Sequence, residues 1–201
     1  MRPVIRAGGF TLVEAAVVVA IMGIMLAIGM PSMSDWLLAR KASAAAVFYQ
    51  DGLAFARNQA IAHNSNSRLV LSENARSGQM DWRVDICQQT PDLQCDDDHG
   101  VWSSASSPVA GFRSVLRSAE AMPGEGQLSQ SFLPSGATEI YFTPLGWVDA
   151  RVSPRLTRIG INPATGHERA FKPLAVAVTL AGVASVCEPD AAAHSTRKCP
   201  P

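Results

Sequence analysis

Hydrophobic and polar positions fall into three regimes along this chain. From Phe10 to Met30 nearly every residue is apolar, and Glu14 is the only charge. As a helix rising about 1.5 Å per residue, that run reaches roughly 31 Å. A bilayer core is about 30 Å thick, so the run predicts a single membrane crossing. From Pro31 the pattern turns mixed and helical. The stretch "SMSDWLLARKASAAAVFYQDGLAFARNQAIAHN" is alanine-rich, and Leu37, Ala44, Val47, Phe48, Ala54, Phe55 and Ile61 recur at helical spacing. They predict one apolar stripe packed on the protein's own sheet, with Arg40, Gln50, Asp51, Arg57 and Asn58 mostly off it. Pro31 removes a backbone donor and predicts a bend or local opening, with Ser32, Ser34 and Asp35 as restart caps. Asn64, Ser65, Asn66 and Ser67 form a stop signal.

Beyond that stop the periodicity changes. "RLVL", "MDWRVDIC", "FRSVL", "EIYFT", "GWVDARV", "LTRIGIN", "LAVAVTL" and "GVASVC" read as short strands separated by glycine and proline turns. Residues 117–136 are polar and glycine-rich and read as a loop. The fold class is α+β: a long N-terminal helix, membrane-spanning in its first half and amphipathic in its second, packed on a C-terminal antiparallel sheet domain. The division is 1–9 leader, 10–30 membrane helix, 31–64 amphipathic continuation and 65–201 β-rich domain.

Composition changes this picture little. The chain has 201 residues and a formal net charge of zero, so no global field recruits nucleic acid. Arg2 and Arg6 precede the apolar run, and positive flanks stay cytoplasmic. The remainder then lies outside the cytoplasm, where disulfides form. A cleaved secretory signal is the alternative. It fits less well, because the apolar run is long, no clear A-x-A site follows, and helical patterning continues past Pro31. The four cysteines form two local pairs, and Cys87–Cys95 with Cys187–Cys199 is the simplest of three connectivities.

Glu14 is the informative residue. A carboxylate in a membrane helix costs free energy and usually has a partner or a function. If the chain were cut between Gly9 and Phe10, the new α-amine would lie about one turn from Glu14. The two could neutralise each other within one chain or between neighbouring chains, which would make Glu14 an assembly register. At this point "GGFTLVE" resembles the processing site of type IV pilins and type II secretion pseudopilins. The resemblance implies cleavage by a prepilin peptidase after Gly9, N-methylation of Phe10, and Glu14 as the assembly glutamate. Gly23 and Pro31 fall where that family often carries helix-loosening residues. Further in, "LAFARNQAIAHNSNSRLVL", with Ala56-Arg57-Asn58-Gln59-Ala60, resembles the helix-to-strand passage of the GspH/FimT minor pilins and pseudopilins. "IYFTPLGWV" is similar to that family's Phe-x-Pro-x-Gly turn, on Phe142, Pro144 and Gly146.

The resemblance implies a minor type IV pilin acting in a pilus initiation or tip complex. Its partners would be a prepilin peptidase, other minor pilins, the major pilin and the inner-membrane assembly platform. Two alternatives stay open: a GspH-like pseudopilin of type II secretion, and a DNA-binding minor pilin for natural transformation. Some FimT-like members carry a Gly-Arg-x-Arg stretch in the last hairpin; this chain has Gly182-Val183-Ala184-Ser185. Arg151, Arg155 and Arg158 form a separate basic cluster that would supply phosphate contacts, against the plainer reading of a solvated strand face. No catalytic constellation, cofactor motif or metal-ligand spacing stands out. Asp96-Asp97-Asp98-His99 reads as a solvated loop before it reads as a cation site.

Overall fold

The structure, a computed structural model, describes residues 10–88, 95, 99–109 and 111–200, with the side chains of Ile28 and Met30–Ser32 left out. The leader 1–9 and the Asp96–Asp98 triplet lie outside the described residues.

Among the described residues one helix, α1, runs from Leu12 to Ala62. Thr11 caps it, its Oγ1 accepting the Glu14 N–H at 3.2 Å, and it closes with the His63 N–H on the Gln59 carbonyl at 3.0 Å and the Asn64 N–H on the Ile61 carbonyl at 3.2 Å. The helix passes Pro31 unbroken, so the expected restart at Ser32–Asp35 is corrected. A proline inside a helix removes one bond, and the long turns on either side carry the element through. Every described residue from Phe10 to Ser34 is exposed.

The second half of α1 buries a different face from the expected stripe. Ala42, Ala45, Ala46, Tyr49, Leu53, Ala56 and Ala60 are buried, whereas Leu37, Ala44, Val47, Ala54 and Ile61 are exposed and Phe48 and Phe55 flank the core. Small side chains let the helix axis approach the sheets, and the larger apolar residues are displaced to the rim.

Among the described residues nine strands follow: β1 Ser67–Glu73, β2 Met80–Gln88, β3 Val101–Trp102, β4 Val115–Arg117, β5 Leu128–Leu133, β6 Glu139–Phe142, β7 Arg158–Pro163, β8 Leu174–Val178 and β9 Ala184–Cys187. They form two antiparallel sheets. The first has the order β3-β2-β1-β6, with β4 also on β2; the second runs β5-β7-β8-β9. Strand β5 lies inside the stretch expected to be loop, and "GWVDARV" forms no strand beyond a bridge between Phe142 and Val148.

The helix lies across both sheets, and one polar knot ties all three. The Tyr49 hydroxyl donates to the Met80 carbonyl of β2 at 2.6 Å and accepts from Gln130 Nε2 of β5 at 2.6 Å. Gln130 Oε1 in turn accepts the Met80 N–H at 3.1 Å. Burial pushes the Tyr49 phenol well above its ordinary pKa, so it remains a donor. Tyr49→Phe is expected to cost about 1–3 kcal/mol, since it leaves buried partners unsatisfied. A thermal melt with an unchanged midpoint would show the knot to be dispensable.

Disulfides close Cys87 to Cys95 and Cys187 to Cys199, and among the described residues no cysteine is free. The first ties Cys95 to the end of β2, and the second ties Cys199 to the end of β9. The loop-entropy relation assigns each about 2.5–3 kcal/mol.

Candidate functional site

The features singled out in sequence occupy three places. The first is the start of α1. Phe10 is 80% exposed, one residue ahead of the Thr11 cap, and Glu14 sits in the first turn. The spacing Thr11-x-x-Glu14 is that of a capping box, so Glu14 also opposes the positive end of the helix dipole. Gly9, the residue before the expected cut, lies outside the described residues. Leu12, Val13, Val19, Met22, Ile24 and Met25 are all exposed, and no other described residue covers them. Among the described residues, no helix is long and apolar enough to cross a membrane.

The second place is the junction between the end of α1 and the β-domain. Arg57 Nε donates to the Gly146 carbonyl at 3.0 Å. Ala56 and Ala60, on either side of it in sequence, are fully buried. The Gly146 turn is closed by Gly146 N–H to Thr143 O and Thr143 N–H to Trp147 O, both at 2.8 Å. Gly182, in the β8–β9 turn, has φ +75°, and a Cβ there would run into the Gly146 carbonyl. The two turns are further joined by Val148 N–H to Leu180 O at 3.0 Å. Thus the Ala-Arg-x-x-Ala element and the Phe-x-Pro-x-Gly turn, far apart in sequence, form one contact. Gly182→Ala should cost about 1–3 kcal/mol through backbone strain and the lost close approach. Thermal melting checks this, and equal stability would remove the need for glycine.

The third place holds the basic cluster, which the structure divides. Arg151 folds back on Asp149, with Nη2 to Oδ2 at 2.6 Å and Nε to Oδ1 at 2.9 Å. That bond holds the Asp149 carboxyl below its usual range. The pairing is therefore intact at neutral pH and weakens only as pH falls through the depressed value. Arg155 and Arg158 instead line a shared cavity that Arg151 does not line.

A charged cluster that sequence reading missed lies on the face of the first sheet turned away from α1. Asp85 is 1% exposed and accepts from Arg68 Nε at 3.0 Å, Arg83 Nε at 3.0 Å and Ser114 Oγ at 2.6 Å. The Arg68 guanidinium lies 4.4 Å over the Trp102 ring. The available signal was the alternation Trp82, Val84, Ile86 against Arg83, Asp85, which places charges on the second face of β2. Only the register with Arg68 shows that they are paired. Among the described residues, no group of His, Cys, Asp and Glu is placed to hold a metal ion.

An exposed apolar helix, continued as a helix that buries one face beneath a β-domain, is the architecture expected of a pilin-like subunit. The chain belongs to the family described as Type II transport protein GspH, which it matches over residues 45–182. This places it among the pseudopilins and minor pilins that assemble in type II secretion and type IV pilus systems, a family of structural subunits. No curated protein and no solved structure matched the chain.

Proposed function

We propose that the chain is a minor type IV pilin, cut between Gly9 and Phe10 and N-methylated on Phe10. It is held in the inner membrane by residues 10–30 with the β-domain in the periplasm, and then enters the filament in the initiation or tip complex. The observation that carries this reading is the exposed apolar start of α1 behind the "GGFTLVE" motif. So large an apolar surface is not left in water; it needs lipid or the helices of neighbouring subunits. The description of the matched family supports a second reading, a pseudopilin of type II secretion with the same processing and insertion. Deleting the gene, with complementation as control, separates them. Loss of surface pili in electron micrographs supports the pilus. Intact pili with loss of secreted enzymes support the secretion pseudopilus, and neither loss contradicts both.

Nucleic-acid uptake has less support. The last hairpin lacks paired arginines, and Arg151 is committed to Asp149.

A further inference from the structure

A cavity of about 480 Å³ opens where the end of β5, the start of β7, the end of β8 and the segment after β6 converge. Its walls are apolar, from Leu133, Val148, Leu156 and Leu180 among others. Into it face two cations, Arg155 and Arg158, and among the described residues no acidic side chain lines it. The Nε atoms of both arginines are buried without a hydrogen-bond partner. Arg158 spends one Nη2 hydrogen on the Pro200 carbonyl at 2.9 Å, whereas no hydrogen bond or ion pair holds Arg155 to any described residue. Buried donors without acceptors are costly, and arginine forks match carboxylates in two-point contacts. Leu133 and Leu180 are themselves half exposed at the rim.

We propose that this cavity is a docking site for an acidic side chain carried on an apolar segment of a neighbouring filament subunit. The carboxylate bonds to Arg155 and Arg158, and the flanking apolar residues cover Leu133 and Leu180. Charge complementarity selects the occupant: two guanidinium groups recessed between apolar walls, with no acidic side chain of a described residue beside them, suit a carboxylate on a hydrophobic peptide. A phosphate backbone instead calls for a broad basic surface, and Arg151 does not contribute to one here. This inference rests on the filament-subunit reading, but binding to the isolated chain tests the cavity alone, whereas processing at Gly9 tests that reading.

The test uses the full chain purified in detergent and a labelled hexapeptide alternating Leu and Glu, compared with its Leu–Gln counterpart by fluorescence anisotropy. The Glu peptide should bind about tenfold more tightly than the Gln peptide. Arg155→Gln should abolish that preference, and Arg155→Lys should restore part of it. Equal affinity for the two peptides on the unmodified chain overturns the proposal, whether or not the variants fold. So does a preference that survives in folded Arg155→Gln. A double-stranded oligonucleotide that binds the chain and loses affinity in Arg155→Gln, without any Glu preference, assigns the cavity to nucleic acid and likewise overturns it.

Discussion

Glu14→Gln is expected to be cleaved and inserted like the unmodified chain, yet to enter filaments about tenfold less or worse. The physical reason is the charge that cleavage would create. An α-amine on Phe10 at membrane depth is costly unless a carboxylate opposes it, and the low dielectric there strengthens such a pair. Tenfold corresponds to about 1.4 kcal/mol, well within what that pairing supplies. Glutamine is the informative substitution because Glu14 has a second role. Its N–H bonds to the Thr11 hydroxyl, and its side chain lies at the third position of a capping box, where Gln also serves. Were Glu14 only a helix-start residue, Glu14→Gln would keep the start and remove a charge that is costly in lipid. Incorporation would then stay equal or rise. Immunoblotting of sheared filaments against the membrane fraction gives the ratio, and the two roles predict opposite directions.

Asp85→Ala is expected to destabilise the β-domain by about 3–5 kcal/mol, a large share of the total for a domain of this size. The carboxylate accepts from Arg68, Arg83 and Ser114, and its removal leaves the Arg68 guanidinium, only 18% exposed, without its counter-ion. Arg83 is 44% exposed, so water replaces most of what it loses. Most of the cost therefore falls on Arg68, since the Ser114 hydroxyl keeps the Ser103 carbonyl as an acceptor at 2.8 Å. Chemical denaturation gives the loss directly. Combining Asp85→Leu with Arg68→Met should recover much of it, because two apolar side chains leave no buried charge behind. A double variant no better than Asp85→Ala would locate the cost in packing.

What the sequence made legible depended on the size of the signal. The strands around Leu69, Val84, Ile140, Ile159 and Val176 carry runs of β-branched and apolar residues, and the structure places strands at each. The buried face of α1 was harder. Hydropathy gives most weight to large side chains such as Leu37 and Val47, but close helix–sheet packing selects the alanines. Strand β5, "LSQSFL", shows no clean alternation, because Gln130 turns inward to bond the Tyr49 hydroxyl while Leu133 is exposed on the outer face, and its neighbour β7 lies far along the chain. The "GWVDARV" stretch has the composition of a strand, yet Asp149 accepts the Arg151 N–H at 3.0 Å and folds the backbone into a local turn. The Arg155–Arg158 cavity could not be read from spacing alone, since the same triplet holds Arg151, which is already paired.

The most direct measurement is the N-terminus of the protein recovered from the bacterial membrane, by intact mass and N-terminal fragment sequencing. Processing as proposed gives a chain that begins at Phe10, lacks residues 1–9 and carries one added methyl group on its amine. A chain that still begins at Met1, or one cut anywhere beyond Phe10, would contradict the assignment of a processed filament subunit.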